Sequence, residues 1–218
     1  LLEPLENVEG HALVYSAYEV IGEDGGLVED GDLVNPFPII PGGQAKAISI
    51  RQFISSQSNL RTICMPAVLM KTGREHLPAR LRLEFIQCAD AVFYAEITSS
   101  YKSIYEIPES LCQYRRHAKS TTSLNRNRPS ALIVDQWLAM MTISAMLGKK
   151  GVSAYLWNFR QRCLLAATSR VMMQDTANIT PEYRDEVVQS TRAISGSWAW
   201  WFGNLAVALR AFLGQSRR

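Results

Sequence analysis

An α/β domain followed by an all-helical C-terminal extension is the fold class this sequence predicts, and three observations carry it. Residues 12–21 (ALVYSAYEVI) are rich in β-branched and aromatic types and run into Gly22-Glu23-Asp24-Gly25-Gly26, which reads as a strand and its turn. Residues 81–98 carry apolar side chains at 81, 85, 88, 92 and 93, a helical spacing, and lead into a strand pair at 103–107 and 110–114 with Pro108 at the bend. After Pro129 every periodic segment is helical.

The remaining elements follow from local chemistry. Pro36, Pro38, Pro41, Gly42 and Gly43 interrupt regular structure, so 33–44 reads as a surface loop. Residues 45–56 predict a short helix, and 60–70 (LRTICMPAVLM) a strand leading into a short helix that stops near Gly73. In the tail, Ser130 is the expected N-cap of a helix whose apolar face is Val134, Trp137, Leu138, Met141 and Ala145, with Gly148, Lys149 and Lys150 at its stop. A second helix is expected from about Val152 to Met173. A third begins at Thr180-Pro181, an N-cap followed by proline at the first helical position. A fourth, from Ser197 to Leu213, gathers Trp198, Trp201, Phe202, Leu205, Leu209, Phe212 and Leu213 on one side. The boundary between the two parts falls at 128, giving 1–128 and 129–218.

The 218 residues, 47% hydrophobic and 20% charged, exclude disordered, collagenous and disulfide-knot classes and suit one large domain or a domain with an appendage. The chain starts at Leu1 and its first methionine is Met65, so it reads as processed or cut from something longer. The net charge of +3 conceals an asymmetry. Residues 1–60 hold nine acids against Lys46 and Arg51, while the rest holds 21 basic and 11 acidic residues. The later part therefore suits an anionic partner or presents a solvated basic face. Cys64, Cys88, Cys112 and Cys163 lie far apart without C-x-x-C or histidine at ligand spacing, which predicts reduced thiols and a cytoplasmic setting rather than zinc. Asp135 and Arg210 interrupt the two most apolar windows, and no membrane-spanning helix is predicted.

The most informative stretch is 103–123, SIYEIPESLCQYRRHAKSTTS. No acid lies between Glu109 and Asp135, whereas Arg115, Arg116, Lys119, Arg126 and Arg128 supply cations and 120–123 supply hydroxyls. Such a segment can hold a diphosphate through charge-assisted, bidentate hydrogen bonds. It can equally brace the sheet edge. Nucleic acid is not expected, because aromatic residues for base stacking are not interleaved with the cations.

The succession of strand ALVYS, turn EDGG, TICMPAVLMKTG, a helix entered through Cys88-Ala89-Asp90, and then IPESLCQYRRHAKSTT resembles the C-terminal half of a family 2 glycosyltransferase. The resemblance covers roughly residues 10–123. It implies a partial GT-A fold, a mixed sheet that binds a nucleotide-diphospho-sugar, with the acceptor side present and the donor-binding half upstream. By position it makes Asp90 the catalytic base, although Ala89 stands where the family has an acid, and it sets Tyr114, Arg115, Arg116 and His117 beside the donor diphosphate or the acceptor entrance. It implies sugar transfer to a glycan or lipid-linked acceptor in polysaccharide or cell-envelope synthesis. The alternative is a non-catalytic binding module derived from the fold.

A divalent cation, Mg²⁺ or Mn²⁺, is expected for the complete enzyme, held by an Asp-x-Asp motif that lies upstream. Asp30-Gly31-Asp32 has that spacing but sits in a run of turn residues, so no metal ligand is assigned in this chain. Glu84 and Glu96 read as surface acids. The tryptophan-rich last helix, with Trp198, Trp200 and Trp201 and flanking cations, suits peripheral contact with a membrane through 197–213, or packing on the core or on a second subunit.

Overall fold

β1 (Ala12–Ile21) occupies the residues predicted for it and runs through the middle of the sheet. The computed structural model describes residues 3–6, 8–28, 39–59, 67–72, 80–115, 117, 125, 127–174 and 180–215. Nine of the ten β1 residues are buried, as a strand covered on both faces requires. Its turn closes where the Asp-Gly step stands: Gly22 N–H donates to the Gly26 carbonyl at 2.8 Å, and Gly25 takes a φ of 84° that only glycine adopts cheaply.

The sheet has four strands in the order β2-β4-β1-β3, open and mixed. β4 (Ser103–Arg115) lies parallel to β1, while β3 (Val68–Lys71) pairs with β1 and β2 (Lys46–Ile48) pairs with β4 in antiparallel sense. A short helix, α1 (Glu3–Glu6), is tied to β3 by Lys71 Nζ, which donates to the Leu5 and Val8 carbonyls at 2.8 and 2.7 Å.

The predicted helix over 45–56 is strand β2 followed by α2 (Ile50–Gln57). A capping box separates them, with Gln52 N–H donating to Ser49 Oγ and Ser49 N–H to Gln52 Oε1, a Ser-x-x-Gln signature readable in the sequence. β3 takes the place of the short helix expected before Gly73, while 60–66 lie outside the described residues. The helix expected over 81–98 is confined to α3 (Ala89–Thr98). The expected strand pair at 103–107 and 110–114 is one strand. Its register against β1 jumps from Ser16↔Ile107 to Ala17↔Ser110 and then to Tyr18↔Cys112, so Pro108 falls in a bulge where no ladder N–H is required. Of the predicted loop at 33–44, only 39–44 are described, and they form a turn and irregular chain.

The helical part comprises α4 (Pro129–Ala145), α5 (Gly151–Gln174), α6 (Pro181–Ser195) and α7 (Ser197–Gln215). Thr180 caps α6 as predicted, accepting the Tyr183 N–H. In α4, Arg128 rather than Ser130 is the N-cap, and Ser130 Oγ instead donates to Glu186 Oε1 on α6. The buried face of α4 also differs from the predicted one. Val134 and Leu138 are exposed, and Leu132, Ile133, Asp135, Ala139, Met140 and Ile143 are inside. The helix is apolar nearly all round, and its one charged residue, Asp135, points inward.

Leu13, Tyr15, Phe53, Tyr94, Ile97 and Ile104 form one core cluster between the sheet and helices α2 and α3. A second cluster joins Ile54 of α2, Phe85, and Val92 and Ala95 of α3 to Ala139 and Ile143 of α4, so the helical extension shares core with the α/β part. Within the extension, α5 and α7 run side by side in the same sense. Phe159 meets Phe202, and Gly203 lies against the Cys163 carbonyl and Ala166. A Cβ at Gly203 would collide with that carbonyl and come within 2.8 Å of Ala166 Cβ. Gly203→Ala is therefore expected to force the two helices apart at a cost of about 1–3 kcal/mol, read as a lower urea midpoint. An unchanged midpoint would show that this contact is looser than the geometry states.

Candidate functional site

The entry to α3 is where the carboxylates of the α/β part meet the helical extension. Asp135 on α4 is buried, and its two oxygens accept three consecutive backbone N–H groups, those of Ile86 at 2.7 Å and of Gln87 and Cys88 at 3.0 Å. These donors precede the first turn of α3. The carboxylate binds a concave row of amides, the arrangement that favours an anion at a helix start. It also explains why the helix does not extend back through 81–88: the chain turns at 86–88 around Asp135.

Asp90 stands two residues further on, in the first turn of α3. Its Oδ1 accepts the Ala91 N–H at 2.7 Å. Burial is the main influence on its carboxyl and raises its pKa above the ordinary aspartate value; backbone hydrogen bonds oppose that shift and the charge of Asp135 adds to it. Cys88, fully enclosed, has its thiol pushed well up by burial first and then by Asp135 and Asp90. A thiol so placed stays protonated and is no nucleophile. Cys112 and Cys163 are likewise not in disulfides, and Cys64 lies outside the described residues.

Tyr114 and Arg115 end β4, opposite Val20 and Ile21 of β1. Tyr114 packs against the cluster of Tyr18 and Val20, and Arg115 Nη1 donates to the Glu23 carbonyl at 2.9 Å. Arg115 thus braces the β1 turn. His117 is exposed, and Arg116, Lys119, Arg126 and 120–123 lie outside the described residues, as do Asp30, Gly31 and Asp32. The far end of the cationic segment returns to the α3 entry, where Asn125 Nδ2 donates to the Ile86 carbonyl at 3.5 Å. Glu84 and Glu96 both pair with Arg82, whose guanidinium also sits 5.5 Å over the Phe85 ring.

The sequence-predicted residues therefore divide between two places. Asp90 belongs to the α3 entry, and Tyr114 and Arg115 to the end of β4, with the cationic segment anchored at both. Asp135 was legible only as an interruption of an apolar window, though it is the one charged residue in the seventeen of α4, the signal that marks it. Among the described residues no three His, Cys, Asp or Glu side chains gather to hold a metal ion, and the Asp135 oxygens are already given to backbone donors. A raised pKa and partial burial suit Asp90 to proton transfer, since a base is most effective when its pKa moves toward the working pH. Comparison of the chain with protein-family models, with curated proteins and with solved structures finds no match.

Proposed function

We propose that this chain is the acceptor-side part of a family 2-like glycosyltransferase of partial GT-A fold, in which Asp90 removes the proton from an acceptor hydroxyl. One observation carries the reading. Asp90, a half-buried carboxylate of raised proton affinity, opens a helix at the turn where the cationic segment 115–128 has one of its anchors. Support also comes from the order of elements, with β1, the α3 entry and the parallel strand β4 following one another as the resemblance implies.

In this reading the acceptor oxygen attacks the anomeric carbon as its proton passes to the Asp90 carboxylate. The bond from that carbon to the diphosphate oxygen breaks, and the nucleoside diphosphate leaves with the electron pair. The resemblance gives Arg115, Arg116 and His117, with Tyr114, the role of meeting the charge of the leaving diphosphate. The divalent cation belongs to the donor half and would neutralise the diphosphate there. The donor is a nucleotide sugar and the acceptor a glycan or lipid-linked hydroxyl.

A second reading is favoured by a specific contact: Arg115 is engaged by the Glu23 carbonyl, and Ala89 replaces the acid the family places beside the base. It makes the chain a non-catalytic glycan-recognition module. The discriminating measurement is release of nucleoside diphosphate from a panel of nucleotide-diphosphate sugars by the full protein in which the chain occurs. Under the enzyme reading release accelerates with added acceptor. Acceptor binding without any release establishes the module instead.

A further inference from the structure

The start of α5 and the start of α7 leave a large apolar surface uncovered. At about 100° per residue, Tyr155, Phe159, Val152 and Leu156 fall within one arc of α5, bordered by Arg162 on one side and Arg160 on the other. In α7, Trp201, Leu205, Trp198 and Phe202 share a similar arc. Val152, Tyr155 and Trp198 are 75%, 72% and 76% exposed, far beyond what packing on the core would leave. The two arcs are continuous. Phe159 meets Phe202 at 6.0 Å, and a groove of about 550 Å³ between the helices is lined by Tyr155, Phe159, Arg162 and Trp198.

The geometry points to a single occupant for this surface: the headgroup and upper acyl region of an anionic lipid bilayer. Charge carries the choice. Residues 136–174 and 196–218 contain no acid, nor do 39–59, which supply the neighbouring wall of α2. Lys149 and Arg160 flank Trp157 at 4.4 and 4.8 Å, Arg160 also reaching Asn59 Oδ1 at 2.7 Å, so cations border the apolar ridge where α5 begins. The acids of α6, Glu182, Asp185 and Glu186, lie in its first turns, at the opposite end of the bundle, where Glu186 Oε1 accepts from Ser130 Oγ at the start of α4.

A second copy of the chain is disfavoured on the same grounds, because an isologous contact would set one acid-free, cation-bordered face against itself. Tryptophan and tyrosine are the residues that rest with an apolar body and a polar tip at the depth of lipid headgroups. Among the described residues no helix is long and apolar enough to cross a membrane, so the contact is interfacial. This inference does not rest on the sugar-transfer reading.

Sedimentation of the full chain with vesicles tests it. Binding is expected to vesicles of equimolar phosphatidylcholine and phosphatidylglycerol, to weaken as salt is raised, and to be much lower on phosphatidylcholine alone. The doubly substituted Leu156→Ser, Trp198→Ser protein, altered only at exposed positions, should lose at least about tenfold in partitioning with an unchanged circular dichroism spectrum. Lys149→Glu with Lys150→Glu should lose about fivefold per cation removed on the anionic vesicles only. Failure of the folded parent chain to bind anionic vesicles overturns the proposal. So does a concentration-dependent dimer in lipid-free solution that the Leu156→Ser, Trp198→Ser change dissolves, since that result assigns the face to a second copy.

Discussion

Asp90→Asn is expected to lower acceptor-dependent turnover by about 10²–10⁴-fold, the span a positioned general base contributes, while nucleotide-sugar binding stays within a few-fold. The asparagine keeps the shape and an oxygen for the Ala91 N–H but cannot take a proton at working pH. The same carboxyl sets the pH dependence. Its native pKa lies above the value of about 3.9 for an unfolded aspartate, so kcat/KM rises with pH as it ionises, with a limb displaced upward from the ordinary carboxylate range. The sign for stability is opposite to that of a salt-bridged aspartate. Between the unfolded and the native pKa the native state binds more protons than the unfolded one, and stability falls as pH rises through that window. At neutral pH the ionised group therefore costs stability, and Asp90→Asn is expected to melt no lower than the parent. Turnover retained in the variant would remove Asp90 from the role of base, and a loss of turnover accompanied by a lower melting point would assign it to the fold.

How much of this was legible depends on where each instruction is written. β1 could be read locally because a ten-residue run rich in β-branched and aromatic residues ends on an Asp-Gly turn. The N-cap of α6 was equally local. Strand β4 could not be read as one element, because proline in a strand is tolerable only at a bulge, and the bulge exists through the register of β1, some ninety residues earlier. α4 illustrates the other failure. Periodicity fixes which side of a helix faces inward only when the sequence has a polar side, and this helix has a single charged residue, which points in rather than out. Within the candidate site, Asp90 was reachable only through resemblance to a family, whereas its partner Asp135 announces itself by composition once buried charge is taken to require donors.

Asp135→Ala is the substitution expected to harm the fold most. The carboxylate accepts the N–H groups of Ile86, Gln87 and Cys88, the last of them buried. A charge-assisted hydrogen bond is about twice as strong as a neutral one, and an orphaned buried donor costs about 1–3 kcal/mol. With partial relief by water at the two half-buried donors, the loss comes to about 3–5 kcal/mol. That is a large part of the stability of about 5–15 kcal/mol typical of a domain, so the alanine chain should show a much lower urea midpoint. Asp135→Asn offers a milder cut, retaining one carbonyl oxygen for the amides but setting its NH₂ against the others, and should fall between parent and alanine. The thiol of Cys88 gives a second readout, taken on chain that is still folded so that its burial is unchanged. Asp135 contributes to its raised pKa through charge and a hydrogen bond, so in a still-folded Asp135→Asn chain the Cys88 thiol should ionise at lower pH and react faster with a small alkylating agent than in the parent. Equal stabilities for parent, asparagine and alanine would mean that the 86–88 turn holds its own shape, and that the rotation of α4 is set by packing against α2 and α3 rather than by its one buried charge.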